Sequence, residues 1–511
     1  MILLIILYTI VTFIIITIAI IYFKLIRPEK QIYDAFREQG IGGEPFIPLV
    51  GQLPEAIKQY NNDAMMIYYE ELAKKHGCIF LYSYGPFIYL YVNEPDLLAD
   101  ILSRNNAPNY MKPIEVSGRF IPLIGSHNLL VAEGSEHERA RRMINPAFHH
   151  VNLKSMVSII TDRTAKVIES IISNEQQSKS IDLQVLFNAL TLSIIASSAF
   201  GVDFETNAHA KNIICQTFTQ LLDIIEYRAM YMIIQIPFLS RLPFWGKNIL
   251  DEGNRKMSEF VDQVIADRRQ GRSSSLSNGP DLLDLLLSAV DDEGQPFNDQ
   301  EIKEESLTFV LAGSETTGNL MVWMLYVLMT NENVLQACRE EVDRVLPNGI
   351  EPTNEHLQNL FVCEAIINET LRLYPPVPEF MRHCIREHTI GTERQFRIPK
   401  GASIIIDGYI THRRSDFWPR PLEFDYTRWM RDPKTGLKPK LPHPFAYLPF
   451  AAGPRNCIGQ NFALLEAKIM LAMFIQRCNF ELVPGQKIIP DIKITMRPKY
   501  GLWANITKRK I

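Results

Sequence analysis

The stretch FAAGPRNCIGQNFA, residues 450–463, places a single cysteine in a tight turn directly before a helix-like run. Gly453 and Gly459 flank Cys457, and the apolar segment NFALLEAKIMLAMFIQRC follows at residues 461–478. Glycines let the backbone curl closely around a sulfur atom, and a helix N-terminus stabilises a thiolate. The pattern therefore predicts a thiolate that the loop holds towards a ligand.

Two kinds of chemistry suit such a thiolate. A metal that takes only one protein ligand fits the loop, and heme is such a case because the porphyrin supplies four other ligands. A catalytic nucleophile is the alternative, but that chemistry needs a His or Asn partner elsewhere in the fold. The loop alone leaves both readings open.

Composition limits the remaining possibilities. The chain has 511 residues, of which 47% are hydrophobic and 22% charged, so it has ample material for a large core. A formal net charge of −4 argues against a general affinity for nucleic acid. Cysteines are scattered at positions 78, 215, 338, 363, 384, 457 and 478 without CxxC spacing. This pattern favours a reducing compartment over a disulfide scaffold or a zinc site.

The N-terminal region differs from the rest of the chain. Residues 2–23 are almost entirely apolar, and the basic residues Lys24, Arg27 and Lys30 follow them. About 20 apolar residues cross a bilayer as a helix, and the basic flank stays on the cytoplasmic side. A cleaved signal peptide would have a basic start and a shorter apolar core. We therefore expect a membrane anchor at residues 1–27 and a Gly/Pro hinge at 28–53.

The body of the chain, residues 54–511, is mostly helical by pattern. Long segments with 3.6-residue periodicity lie at residues 65–77, 186–201, 247–269, 301–331, 333–346, 360–375 and 461–478. Shorter β-like stretches lie at residues 79–92, 402–410 and 488–503. The expected fold is mainly α, a large helical domain with small β-sheets, preceded by the transmembrane helix.

The cysteine loop resembles the heme-ligand loop of the cytochrome P-450 superfamily, whose pattern is Phe-x-x-Gly-x-Arg-x-Cys-x-Gly. Phe450, Gly453, Arg455, Cys457 and Gly459 match the five fixed positions. The resemblance implies heme b, an iron protoporphyrin, with Cys457 as its axial metal ligand. It also implies that Phe450, Arg455 and Gly459 contribute to cofactor binding.

Another matching motif is ETLR, residues 369–372, in which Glu369 and Arg372 share one helix face. An isolated pair of this kind is an ordinary surface ion pair worth little stability. The family adds a third partner, and the segment PLEFDYTRW at residues 421–429 resembles its source, with Arg428 in the expected place. The resemblance implies a structural triad of Glu369, Arg372 and Arg428.

The segment AGSETT, residues 312–317, lies within a long apolar helix. Gly313 and the polar residues after it weaken the hydrogen-bond ladder, so the helix can bulge there. The segment resembles the family's oxygen-activation segment, which implies proton delivery by Glu315 and Thr316. Some fatty-acid hydroxylases of the family esterify their heme through a Glu where this chain has Ala312. Heme is therefore expected without an ester bond.

Heme propionates need cationic or hydrogen-bonding partners. The segment HERARRMINPAFHH resembles the family's propionate helix, with His137 at a position usually held by Trp and Arg141 four residues later. Arg382 in PPVPEFMRH and Arg455 in the cysteine loop complete the set. Guanidinium groups suit bidentate binding of carboxylates.

Substrate contacts are implied for the loop at residues 109–130 and for Ala312, Val377 and Thr495. These regions are apolar-rich, which favours a lipophilic substrate of the fatty acid, sterol or xenobiotic class. Ordinary core packing is the competing interpretation of each single position. Residues 230–246 are apolar and Pro-broken, and we consider that they either dip into the membrane or cover a core.

The resemblance implies a membrane-anchored heme-thiolate monooxygenase of the endoplasmic reticulum, with its catalytic domain in the cytoplasm. Electrons would come from an NADPH–cytochrome reductase, with cytochrome b5 as an optional second donor, because the chain lacks a dinucleotide-binding fingerprint. The cations that would dock the reductase are Arg139, Arg142, Lys438 and Lys440. A heme-thiolate isomerase or dehydratase and a non-catalytic heme sensor are the alternatives. The intact AGSETT segment favours the monooxygenase.

Overall fold

The structure is a computed structural model that describes residues 2–173, 180–202, 210, 212–229, 242–244, 246–276 and 279–510. Most of the 230–246 segment, for which a membrane contact was considered, lies outside these residues.

Helices make up most of the described chain, in agreement with the predicted fold class. The α-helices of seven or more residues in the described chain are α1 Ile2–Ile21, α2 Arg27–Arg37, α3 Leu53–Asn61, α4 Met65–His76, α5 Pro95–Ile101, α6 Gly134–Ile144, α7 Val157–Ser173, α8 Leu183–Phe200, α9 Thr219–Ala229, α10 Lys247–Arg269, α11 Leu282–Ser288, α12 Asp299–Thr330, α13 Glu332–Val345, α14 Phe361–Leu373 and α15 Gln460–Arg477. The bounds of α10 are those of the predicted segment 247–269.

Local sequence signals set several of these helix ends. Asn298 accepts a hydrogen bond from the Glu301 N–H, and the Glu301 side chain accepts one from the Asn298 N–H, which forms a capping box at the start of α12. Asp182 caps α8 by accepting from the Gln184 N–H. Gly201, at φ 61°, ends α8 in the left-handed conformation that glycine adopts without strain.

The N-terminal helix is a candidate transmembrane span. Residues Ile2–Ile21 form α1, none of them is buried, and the helical backbone continues through Tyr22–Ile26 into α2. Part of the range predicted as a hinge, residues 28–37, is thus helical. Helix α8 is also long and apolar enough to span a bilayer, but most of it is buried in protein, as in an ordinary core helix.

The chain divides into two compact units, and the first consists of Met1–Pro113, Glu379–Pro419 and Pro442–Arg455. Its strands are β1 Gly42–Gly43, β2 Ile79–Tyr84, β3 Phe87–Val92, β4 Tyr110–Met111, β6 Glu379–Cys384, β7 His388–Ile390, β8 Phe396–Ile398 and β9 Ser403–Asp407. Six of them form one sheet in the order β1-β2-β3-β9-β6-β4, and β7 pairs with β8. The antiparallel register of β6 and β9 places Glu379 opposite Asp407.

The second unit consists of Ile114–Pro378, Arg420–Leu441 and Asn456–Ile511. Its strands are β5 Ile181–Asp182, β10 Cys478–Leu482, β11 Pro490–Ile492, β12 Met496–Pro498 and β13 Trp503–Lys508. Strands β10, β13 and β5 form one sheet, and β11 and β12 form a hairpin.

Close helix packing builds the core of the second unit. Gly313 of α12 has no side chain, and a Cβ there would lie 2.8 Å from Ile195 Cγ1 of α8. Helix α12 is continuous through this point, so the bulge considered from the sequence is absent from this described segment. Gly313 therefore serves the close approach of α8 and α12.

Candidate functional site

The cysteine loop begins in the first unit, which contains Phe450, Gly453 and Arg455. Gly453 has φ +74°, and a Cβ there would lie 2.0 Å from the Leu102 carbonyl oxygen. Both the backbone angle and the close approach require glycine at this position. Phe450 and Arg455 are half-buried.

Cys457 and Gly459 belong to the second unit, where α15 begins at Gln460. The backbone N–H groups of Gly459 and Gln460 donate to the Cys457 sulfur. Burial raises the pKa of the Cys457 thiol, while these N–H groups and the Arg141 guanidinium oppose that rise. The Cys457 side chain is nevertheless exposed to solvent.

The environment of Cys457 fits a heme whose iron takes one protein ligand. Of the cysteines whose side chains the structure describes, Cys457 alone is exposed; the others are buried or half-buried. Within the same residues no cluster of three His, Cys, Asp or Glu side chains could hold a metal ion. An exposed sulfur atom that accepts hydrogen bonds from two backbone amides is suited to be the thiolate ligand of such a cofactor.

Arg141, on α6, is hydrogen-bonded to the cysteine loop. Its Nη1 donates to the Asn456 carbonyl oxygen at 2.6 Å, and its Nη2 donates to Asn456 Oδ1 at 2.7 Å. Its Nε donates to Asn145 Oδ1 at 2.9 Å. His137, one helical turn earlier, is buried. Arg141 thus holds the residue immediately before the predicted ligand.

Aromatic packing connects the cysteine loop with α12. A Cβ at Gly459 would lie 3.9 Å from a ring carbon of Phe148, which is ordinary van der Waals contact. The Phe148 ring meets the Phe309 ring of α12 edge-on, with centroids 5.3 Å apart. Ala312 follows Phe309 by one helical turn and is exposed. Phe148 thus lies near the Gly459 backbone and packs on Phe309, one helical turn before Ala312.

The two residues predicted to deliver protons lie next to Ala312 on α12. The Thr316 hydroxyl donates to the Ala312 carbonyl oxygen at 2.8 Å. Glu315 is half-buried, and Thr495 donates to its Oε2 at 3.2 Å. Burial raises the pKa of Glu315, and the Glu226 carboxylate adds to the rise.

The structure brings Glu369, Arg372 and Arg428 together. Arg372 donates to both Glu369 oxygens, from Nε at 2.9 Å and from Nη2 at 2.8 Å, and Arg428 Nε donates at 3.3 Å. Two further donors, which the sequence did not reveal, are Trp429 Nε1 at 2.8 Å and the Asp425 N–H at 2.9 Å. Glu369 and Arg372 are both fully buried.

Arg382, Val377 and Thr495, which were also predicted as site residues, differ in their exposure to solvent. Arg382, on β6 of the first unit, is buried and donates to the Met381 carbonyl oxygen at 2.8 Å. Val377 is 42% exposed, whereas Thr495 is buried and hydrogen-bonded to protein groups. Thr495 is thus placed against Glu315 rather than on an accessible surface.

The cations considered for docking a reductase are largely engaged in ion pairs. Arg139 contacts Asp291 at 2.7 Å and Glu301 at 2.8 Å. The Arg142 guanidinium lies 3.4 Å from Asp292. Lys438 contacts Glu364 at 2.6 Å. These pairs reduce the positive charge that Arg139, Arg142 and Lys438 offer to a partner.

Sequence reasoning missed two acids that tether the predicted substrate loop. Glu304 of α12 accepts from the His127 N–H, and Glu305 accepts from the Leu129 N–H at 2.9 Å. A Cβ at Gly125 would lie 2.0 Å from Glu304 Cδ, so the loop approaches the acid closely. Burial raises the pKa of Glu305 to about 8. Two adjacent acids before an apolar helical run were the signal available in the sequence.

Comparison with known proteins identifies the family. A model of the Cytochrome P450 family matches residues 41–503. Cytochrome P450 72A11 of Arabidopsis thaliana is 28% identical over 499 residues, covering 92% of each chain. Protein LUTEIN DEFICIENT 5, chloroplastic, of Arabidopsis thaliana is 29% identical over 492 residues, covering 92% of this chain and 78% of that protein. The crystal structure of the cytochrome P450DA heme domain superposes with a TM-score of 0.78 at 25% identity, covering 92% of this chain and 98% of that one.

Proposed function

We propose a substrate class, an electron donor and a proton path for this chain, which belongs to the cytochrome P450 family. As a member of that family it is a heme-thiolate monooxygenase, whose heme is ligated by a cysteine thiolate. The proposed substrate is a lipophilic small molecule of the fatty acid, sterol or xenobiotic class. The proposed electron donor is a separate NADPH–cytochrome reductase, with cytochrome b5 as an optional second donor.

Residues in and around the cysteine loop would hold heme b. Cys457 would ligate the iron, with the Gly459 and Gln460 N–H groups stabilising the sulfur's negative charge. Arg141 would keep the loop in place through Asn456. Ala312 has no carboxyl group, so the heme would be held without an ester. The predicted cofactor roles of His137, Arg382, Phe450 and Arg455 remain part of this proposal.

When bound, the heme supplies the reductive activation of dioxygen, with one oxygen atom entering the substrate and the other leaving as water. The protein must contribute two protons while it keeps bulk water away. Thr316 offers a hydroxyl held at 2.8 Å from the Ala312 carbonyl oxygen, beside the exposed face of α12. Glu315, with its raised pKa, is suited to take up a proton and release it.

One observation carries this proposal: an acid and a hydroxyl are adjacent on α12, next to the exposed Ala312. A small apolar side chain at an accessible position leaves room for an apolar substrate. The neighbouring hydroxyl and carboxyl groups are within one helical turn of it, so protons can be supplied there. An enzyme that only rearranges its substrate would have no use for this pair.

The test uses Thr316→Ala in the full-length, heme-loaded enzyme with an added reductase. NADPH oxidation should continue, but product formed per NADPH should fall by about 10²-fold, as expected for loss of a proton-transfer group. Thr316→Ser, which keeps a hydroxyl, is the matched control and should retain most of the coupling. Equal coupling in Thr316→Ala and the parent enzyme would contradict the proton path.

The assignment of the ligand has an independent test. Cys457→Ser should abolish the thiolate-type absorption band of the reduced carbon monoxide complex, because a serine oxygen is a weaker electron donor. Cys363→Ser, at a buried cysteine, is the control and should keep that band. Retention of the band in Cys457→Ser would exclude Cys457 as the ligand.

The substrate class and the location are tested separately. A spectral titration with fatty acids, sterols and apolar xenobiotics should give a substrate-induced shift with at least one class. A fluorescent fusion of the full chain should mark the endoplasmic reticulum, with its C-terminus accessible to cytoplasmic protease. Chloroplast targeting, as in the name of one Arabidopsis relative, would contradict the proposed location but leave the chemistry intact.

A further inference from the structure

Thr495 and Asn319 form a short hydrogen-bond chain that ends at Glu315. Asn319 Nδ2 donates to Thr495 Oγ1 at 2.8 Å, and Thr495 Oγ1 donates to Glu315 Oε2 at 3.2 Å. An amide nitrogen can only donate, and a hydroxyl carries a single proton. The Thr495 hydroxyl must therefore aim its proton at Glu315 in this arrangement.

The hairpin that carries Thr495 is held firmly against α12. The Met496 N–H donates to the Pro376 carbonyl oxygen at 2.8 Å, and Trp323 Nε1 of α12 donates to the Met496 carbonyl oxygen at 3.2 Å. Thr495 is 3% exposed and Asn319 is fully buried. The hydroxyl position is thus set by the same helix that carries Glu315.

Charged groups around Glu315 come from α9 and from the hairpin. They are Glu226 and Asp223 on α9 and Arg497 on β12. Arg497 donates to Glu226 at 2.8 Å, and the Lys493 ammonium lies 3.5 Å from Glu226. Burial, Glu226 and Asp223 raise the pKa of Glu315, whereas Arg497 and the Thr495 hydrogen bond lower it. The hairpin therefore provides the groups that favour the charged carboxylate.

From this geometry we propose that Thr495 is a positioning residue for proton delivery: it holds the Glu315 carboxylate and reverses its hydrogen bond when Glu315 gains a proton. The proposal rests on the proposed role of Glu315 and gives Thr495 a task other than substrate contact. It assigns Arg497 the supporting task of keeping Glu315 charged until a proton is taken up.

Both hydrogen bonds of the Glu315–Thr495–Asn319 chain can reverse direction together. A protonated Glu315 would donate to Thr495 Oγ1, and Thr495 would then donate its own proton to Asn319. Asn319 Oδ1, which has no hydrogen-bond partner among the described residues, can accept it once the amide turns over. The Glu315–Thr495–Asn319 chain can therefore run in two directions, one for each protonation state of Glu315.

The experiment compares Thr495→Val, which has the same shape but lacks the hydroxyl, with Thr495→Ser, which retains it. Both are prepared as the full-length, heme-loaded enzyme. In Thr495→Val, product per NADPH should fall by about tenfold, less than for loss of the transferring group itself. Substrate affinity from the spectral titration should stay within about twofold. Thr495→Ser should restore coupling.

A second measurement does not depend on turnover. Infrared difference titration follows the Glu315 carboxyl band, identified by its absence in Glu315→Gln. Thr495→Val removes a hydrogen bond that lowers the pKa of Glu315, so the titration midpoint should move to higher pH. Arg497→Gln should move it in the same direction, which keeps the proposal testable if Thr495→Val does not fold.

The outcomes separate this inference from the proposed function. Weaker substrate binding with normal coupling in Thr495→Val would make Thr495 a pocket residue and overturn the inference. An unchanged infrared midpoint in both Thr495→Val and Arg497→Gln would also overturn it. If Thr316→Ala uncouples the enzyme but Thr495→Val does not, the inference alone fails. If Thr316→Ala remains coupled, the proposed proton path fails instead.

Discussion

Glu369 and Glu315 are two glutamates of the same unit with opposite surroundings. Glu369 is fully buried and accepts from four groups, namely Arg372, Arg428, Trp429 and the Asp425 N–H. Glu315 is half-buried, accepts from Thr495, and lies near the acids Glu226 and Asp223. Two guanidinium groups, an indole N–H and a backbone N–H surround the first carboxyl group, whereas the second has one hydroxyl donor and two acids near it. Under the proposed function, the number and charge of these donors distinguish a structural acid from one that transfers protons.

The largest effect is expected at Glu369. Glu369→Ala leaves two guanidinium groups without their shared partner, so the free energy of unfolding should fall by ~3–5 kcal/mol. Denaturant unfolding, with heme content as a second readout, measures this loss.

The control is Glu423→Ala. Glu423 pairs with Arg420 at 2.9 Å with the same i, i+3 spacing, but both side chains are about 60% exposed. Its removal should cost ~0.2–1 kcal/mol. Equal losses in the two variants would mean that burial of the Glu369 site adds nothing to its stability.

A third carboxyl site, in the first unit, should make stability depend on pH. Glu379 and Asp407 face each other across β6 and β9, and Asp407 accepts from the Ile410 N–H. Burial raises the pKa of Glu379 to about 8 and that of Asp407 to about 7. The folded state therefore binds more protons than the unfolded state between the usual carboxyl range and about pH 8. Stability should fall as pH rises through this window.

The expected loss between pH 6 and pH 9 is on the order of 3–4 kcal/mol, measured by thermal unfolding at each pH. Asp407→Asn keeps an oxygen for the Ile410 N–H but cannot ionise, so it should flatten the dependence. Glu315→Gln is the comparison, because a single half-buried acid should change the slope less. A steep slope that persists in Asp407→Asn combined with Glu379→Gln would place its origin elsewhere.

The smallest effect on stability is expected for Glu315→Gln. Glutamine retains an oxygen that can accept from Thr495, so the free energy of unfolding should change by less than ~1 kcal/mol. Product per NADPH should nevertheless fall, because the amide cannot transfer a proton. A loss of stability as large as that of Glu369→Ala would remove the distinction between the two acids.

Much of the fold was predictable because its signals are local. The period of apolar residues predicted α10 with its observed bounds, and the cysteine loop with the following helix pointed to a thiolate site. The motifs also singled out Glu369, Arg372 and Arg428. They did not reveal Trp429 or the Asp425 N–H, because these donors act through a turn whose conformation the sequence does not specify.

The structure shows contacts between residues distant in the chain that the sequence did not reveal. Gly313 lies close to Ile195 in a continuous helix α12, and Thr495 is buried and donates a hydrogen bond to Glu315. Arg139 was a candidate docking cation, but it is occupied by Asp291 and Glu301. Each of these contacts depends on a residue far away in the chain.

The amino-acid sequence determined where the helices run, where an apolar N-terminal helix lies and which cysteine sits in a glycine-flanked loop before a helix. Helix period, capping residues and glycine placement act over a few residues, so they can be read without the fold. Tertiary structure decided which groups surround each acid. It brings the Thr495 hydroxyl to Glu315 and places Glu379 opposite Asp407. A carboxyl group's charge depends on the donors and acids within a few ångströms, and packing brings these together from remote parts of the chain.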